Sequence, residues 1–183
     1  MSGHSRWAQV KHKKAITDAK RGQLFSKAVR EIMVAVKEGG PNTDSNQRLR
    51  SALERAREAG LPKDNIERAI ERATGRGEAG VLQEFLYEAI GPHGAYILID
   101  GITDNKNRAL AEIKTILAKF GAKPVPAGSL LWGFEKMWTA EGKDYRPQTP
   151  FELPPEDREK LTPLLDELVE LDDVQEVYTN LAE

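Results

Sequence analysis

The segment Gly75-Arg76-Gly77-Glu78-Ala79-Gly80 constrains this chain more than any other stretch. Its closely spaced glycines, with no large apolar residue among them, favour turn and irregular backbone over a helix or strand running through. The character of the sequence changes across it. Up to Arg76 there are 17 Lys/Arg and 9 Asp/Glu, a net +8; beyond it there are 10 and 20, a net −10. The near-neutral total of −2 conceals this division. Opposite charge on the two sides of a linker predicts two domains with different jobs, 1–76 and 77–183. A chain of 183 residues has room for two modest cores.

Upstream of the linker, apolar residues recur at helical spacing. Leu24/Phe25, Ala28/Val29, Ile32/Met33 and Val36 predict a helix from about Lys14 to Glu38, ended by Gly39-Gly40-Pro41. A second helix follows Asn42-Thr43-Asp44, with Leu49, Ala52, Leu53 and Ala56 inward and Gly60 at its end. A third begins near Pro62. Asp64 and Glu67 have capping-box spacing, and Ile66, Ala69, Ile70 and Ala73 face inward. Three helices with alanine-rich inner faces predict a compact basic helical domain.

Downstream, Phe85–Ala89, Gly91-Pro92-His93-Gly94 and Ala95–Asp100 read as a β-hairpin. A helix over about Asn105–Phe120, strands over about Ser129–Lys136 and 144–153, a helix over Pro155–Leu171 and a strand over Val174–Thr179 complete the order. From Ala95 this is β-α-β-β-α-β. The expected fold is therefore α+β: an N-terminal three-helix domain, then a ferredoxin-like βαββαβ lobe with an extra strand in front. Trp132 and Phe134 fall on one face of an expected strand. Without an RNP1 pattern around them they read as core.

The strongest functional signal lies in the first 30 residues. Arg6, Lys11, Lys13, Lys14, Lys20, Arg21, Lys27 and Arg30 face only Asp18, a net +7. Such an excess, interleaved with Trp7, His4 and His12, is the electrostatic footprint of a phosphate-backbone partner. Arg6, Lys11, Lys13, Lys14, Lys20, Arg21 and Lys27 are the expected phosphate contacts, with His12 as a hydrogen-bond donor. Trp7 has two readings: packing the arm onto the bundle, or stacking on a base or ribose. Arg48 and Arg50 extend the candidate set. Arg48 shares a helix face with Arg55, and Arg50 with Arg57; the plain alternative is a solvated face laced with Glu54, Glu58 and Glu71.

Other chemistries find no footing. Without cysteine there are no disulfides, thiol nucleophiles or cysteine zinc sites, and a reducing, cytoplasmic setting is expected. No run approaches the roughly 20 apolar residues of a membrane span, so no membrane partner is expected. There is no phosphate-binding glycine loop, dinucleotide fingerprint or zinc-protease motif. His4 and His12 have no third ligand nearby. Asp100, Asp104 and Glu112 are better used as turns and caps than as a metal cluster. The expectation is a monomeric, non-enzymatic protein with no cofactor and no metal.

Several ordered motifs resemble the YebC family. They are Gly3-His4-Ser5-Arg6-Trp7, Lys11-His12-Lys13-Lys14, Phe25-Ser26-Lys27, Asn46-x-Arg48-Leu49-Arg50 and Pro62-Lys63-Asp64-Asn65-Ile66-Glu67-Arg68-Ala69-Ile70. The later half adds Tyr87-Glu88, Gly91-Pro92-x-Gly94, Thr103-Asp104-Asn105-x-Asn107-Arg108 and Asp172-Asp173-Val174-Gln175-x-Val177-Tyr178-x-Asn180. In one respect the chain departs from the family pattern. Only Met137 to about Tyr145 stands where members usually carry a further α/β lobe. The resemblance implies a cytoplasmic regulator of gene expression, described in the family either as a DNA-binding transcriptional regulator or as a ribosome-associated translation factor. The basic arm suits an irregular ribosomal RNA surface at least as well as a DNA groove, because no base-reading helix is evident. A protein-interaction module, docked through the acidic lobe, is the alternative of a different class.

Overall fold

A computed structural model describes residues 18–75, 81–139 and 142–182. The fold is α+β, with helices first and an antiparallel sheet after them. The described residues form two compact units. One runs to Gln83 and includes the hairpin tip Trp138–Gly142; the other takes Glu84–Met137 and the chain from Lys143 on. The expected start of the first helix, the linker from Arg76 to Gly80 and the Ala140-Glu141 turn lie outside the described residues.

In the first unit, α1 spans Asp18–Gly39, α2 Gln47–Glu58 and α3 Lys63–Thr74. Ile32, Met33, Ala35 and Val36 of α1 pack with Leu49, Ala52, Leu53 and Ala56 of α2 and with Ile66 and Ala69 of α3. The small residues in this set let the helix backbones approach closely. Gly40 ends α1 in the left-handed region, at φ 81°, with its N–H on the Val36 carbonyl at 2.8 Å. The buried Asn46 caps α2: its Oδ1 accepts from the Leu49 N–H at 2.9 Å. The same side chain donates to the Ala35 carbonyl at 2.7 Å and the Gly40 carbonyl at 2.8 Å, tying the end of α1 to the start of α2. At α3 the expected capping box is replaced. Pro62 is the N-cap, with no side-chain hydrogen bond, and Asp64 lies within the first turn, where its charge opposes the helix dipole favourably.

In the second unit, β1 (Gln83–Ile90) and β2 (Tyr96–Thr103) are joined by a short turn over Pro92–Gly94. Then come α4 (Lys106–Lys119), β3 (Lys123–Val125), β4 (Phe134–Thr139), β5 (Gly142–Pro147), α5 (Pro155–Val169) and β6 (Val174–Thr179). The sheet order is β3-β1-β2-β6, and β4 and β5 pair with each other as a separate ladder. Strand membership thus differs from the ferredoxin-like reading. The "extra" front strand is interior to the sheet, because the short turn pairs it locally with β2. The two expected middle strands leave the sheet. The short strand β3 takes the edge beside β1, a place that tolerates Pro124.

Both faces of β2 are buried. Ile97 and Ile99 pack with Ala109, Ile113 and Leu117 of α4 and with Leu161, Leu164 and Leu168 of α5. On the other face, Leu98 packs with Leu130, Phe134, Tyr145 and Tyr178. What holds the covering loop there is Glu88. Its buried carboxylate accepts from the backbone N–H groups of Gly128 at 2.5 Å, Leu130 at 2.5 Å and Leu131 at 3.1 Å. The expected strand over Ser129–Lys136 therefore begins as a 3-10 turn, Leu131–Gly133. Trp132 is not core: it is 67% exposed, while Phe134 is buried.

Gly101 sits where the β2–β6 register shifts. A Cβ there would overlap the Phe85 ring and the carbonyl oxygen of Asp173, which accepts from the Ile102 N–H at 2.9 Å. Neither the backbone nor the buried ring can retreat cheaply. Gly101→Ala should cost about 3 kcal/mol or more. Denaturant unfolding of the variant beside the native chain measures this directly.

Candidate nucleic-acid interface

Arg6, Trp7, Lys11, His12, Lys13 and Lys14 lie outside the described residues. The remaining candidates divide by environment. Lys20 and Arg21 are exposed near the start of α1. Lys27 is one helical heptad beyond Lys20 but only 8% exposed, and it makes contacts of its own within the fold. It therefore lies inside the fold, where a charge needs partners, and not on its open surface.

Arg48 is engaged by acids of α1. Its side chain is 12% exposed and forks onto Glu31, with Nε at 3.0 Å from Oε1 and Nη2 at 3.4 Å from Oε2. Nη1 reaches Glu38 at 2.6 Å. Arg55, predicted to share its face, meets Glu31 as well, at 3.6 Å. The seven-residue spacing does define a common face, but that face turns toward α1. The neutralising acids are Glu31 and Glu38, not Glu54, Glu58 or Glu71. Arg50 is exposed and donates to the Thr43 and Asp44 carbonyls, bracing the loop ahead of α2.

The exposed surfaces of α2 and α3 interleave signs. Arg50, Glu54, Arg57 and Glu58 alternate along one, and Glu67, Arg68, Glu71 and Arg72 along the other. Such faces are poorly suited to a major groove lined by phosphates of one sign. Sequence reasoning missed Trp138. It stands 53% exposed, with the Arg48 guanidinium carbon 6.0 Å from its ring centroid. Its only signal was an aromatic among polar residues, next to a turn.

In the second unit, the acidic motif residues are structural. Asp173, 3% exposed, accepts from the Thr103 hydroxyl at 2.9 Å and from Arg108 at 2.8 Å. Arg108 also reaches Asp104 at 2.7 Å, and hydrogen bonds to these two carboxylates hold its pKa above the usual arginine value. Asn105 caps α4 through the Arg108 N–H. Asp100 accepts from Lys143 at 2.7 Å, with Glu84 at 3.4 Å. Burial works against the Lys143 charge, but attraction to Asp100 and Glu84 and the hydrogen bond to Asp100 leave its pKa raised. Among the described residues no group of three His, Cys, Asp or Glu is placed to hold a metal. No described helix is long and apolar enough to cross a membrane.

This architecture, an N-terminal helical unit followed by an antiparallel-sheet unit braced by the Thr103–Arg108–Asp173 clasp, defines a modular α+β protein. The chain belongs to the TACO1/YebC family. The profile of the TACO1/YebC protein N-terminal domain matches residues 5–76, and that of the TACO1/YebC second and third domain matches 82–144 and 138–181. It is 52% identical over 136 residues to a "Probable transcriptional regulatory protein" of Dictyoglomus turgidum, covering 74% of this chain and 55% of that protein. It is 35% identical to one of Pseudothermotoga lettingae over 236 aligned positions, covering 98% of this chain and 93% of the relative. A crystal structure of a conserved hypothetical protein from Aquifex aeolicus superposes with a TM-score of 0.87 at 31% identity, covering 97% of each chain. The chain spans about half the length of the first curated relatives it matches. The Pseudothermotoga alignment has more positions than this chain has residues, so that relative carries a segment absent here. The two pieces of the second-domain match meet over 138–144, at the β4–β5 hairpin.

Proposed function

We propose that this protein is a non-enzymatic, cytoplasmic regulator of gene expression that grips RNA, as a ribosome-associated translation factor. The grip belongs to an N-terminal domain, 1–76, and positioning to an acidic domain, 77–183. The observation that carries the reading is the net +7 of residues 1–30, set ahead of helices whose own cations are largely matched by acids. Arg6, Lys11, Lys13, Lys14, Lys20 and Arg21 neutralise phosphates, and Trp7 stacks. A cluster of cations at the N-terminal end can follow an irregular RNA surface without needing a groove of fixed width. The mixed-sign faces of α2 and α3 count against a helix that reads DNA bases. The second reading is a DNA-binding transcriptional regulator; the relatives' name, probable transcriptional regulatory protein, favours a role in transcription.

Crosslinking in cells, followed by identification of the attached nucleic acid, separates the two. Ribosomal RNA is the expected product, with co-sedimentation of the protein and ribosomes that is lost at high salt. Recovery of promoter DNA alone would overturn the RNA reading.

A further inference from the structure

We propose that the groove between the first turns of α2 and Trp138 is a subsite for one unpaired RNA base. The proposal rests on the nucleic-acid reading above and adds a place where a base, rather than the backbone, is held. The groove is open to solvent, is lined by Gln47, Arg48, Ser51, Trp138 and Thr139, and has a volume of about 230 Å³.

Three properties of its walls select the ligand. First, it offers an aromatic surface: about half of Trp138 is exposed, and Arg48 stands 6.0 Å from the ring centroid. Aromatic rings with an arginine alongside are the standard platform for a nucleobase. Second, the groove is electrically compensated. The Arg48 charge is met by Glu31 and Glu38, so a phosphate gains little here, whereas a neutral planar ring loses nothing. Third, it has a polar group in its wall. Ser51 is 6% exposed and borders the groove, and a hydroxyl can both donate and accept a hydrogen bond. The exposed Gln47 amide adds both a donor and an acceptor at the rim. The Thr139 hydroxyl is already committed to the Gly142 carbonyl, at 3.2 Å.

The platform is held in place. Gly142 has φ 118°, a backbone conformation that favours glycine, and a Cβ there would lie 3.2 Å from the Arg55 guanidinium, so the hairpin tip lies close to α2. The two pieces of the family's second-domain match also meet at this hairpin. In this chain the short tip presents Trp138.

The test is a titration of the full chain with an eight-nucleotide oligouridylate and with an abasic oligomer of the same length and charge, at fixed salt. The oligouridylate is expected to bind more tightly and to quench tryptophan emission. Trp138→Ala should weaken its binding about tenfold or more while leaving abasic binding and the salt slope unchanged. Trp138→Phe should restore most of the affinity while removing the Trp138 share of the quench, and Ser51→Ala should cost a few-fold. Equal binding of the two oligomers by the native chain, or full oligouridylate affinity in Trp138→Ala, overturns the base subsite and leaves backbone binding intact. Failure of the native chain to bind either oligomer or duplex DNA overturns the nucleic-acid reading itself.

Discussion

Glu88→Ala should destabilise the sheet-bearing unit by about 3–5 kcal/mol. The carboxylate is 4% exposed and receives three backbone N–H groups from the loop that precedes β4. Hydrogen bonds to an ionised acceptor are stronger than neutral ones, and removing the acceptor leaves donors in a site where water does not easily replace it. The damage should spread. Leu130 and Phe134 reach the far sheet face only while that loop is held, and there they cover Leu98 and Tyr178. Glu88→Gln should fall between the two, because its carbonyl can accept while its amide group sets a donor against a donor. Denaturant melts of the full chain, followed through the environment of Trp132, give the comparison. A Glu88→Ala variant within about 0.5 kcal/mol of the native chain would remove this anchor from the account.

The same residue shows where sequence reading stops. Glu88 and Gly128 are 40 residues apart, and nothing local marks an acid in a strand as the clamp of a distant loop. Without that clamp, Ser129–Lys136 reads as a plain strand and Trp132 as core. The helices were legible because periodicity is local: α1 and α2 end at Gly40 and near Gly60 as their glycines indicate. At α3, Asp64 and Glu67 imitated a capping box two residues past the real N-cap, Pro62. Pro124 hid β3, since an edge strand forgives a proline that an interior one does not. In the site, the seven-residue spacing of Arg48 and Arg55 was readable. The direction of their face was not, because Glu31 lies 17 residues from Arg48 on another helix. The cationic arm was legible for the opposite reason: an excess of charge needs no partner in the chain to be seen.

Lys11, Lys13 and Lys14 carry the largest functional prediction. Neutralising phosphates releases condensed counterions, so affinity falls linearly with salt on logarithmic axes. About six contacts on single-stranded RNA correspond to a slope of roughly −4, and on duplex DNA to roughly −5. Replacing the three lysines with alanine should flatten the slope by about two and cost orders of magnitude at low salt. Arg48→Ala should leave the slope unchanged, because its charge is already met by Glu31 and Glu38.

The most direct measurement of the central claim is therefore the salt dependence of RNA binding by the native chain and by the Lys11/Lys13/Lys14→Ala variant, side by side. A steep native slope that the triple substitution flattens is the expected result. Equal slopes would place the phosphate grip elsewhere and contradict the account.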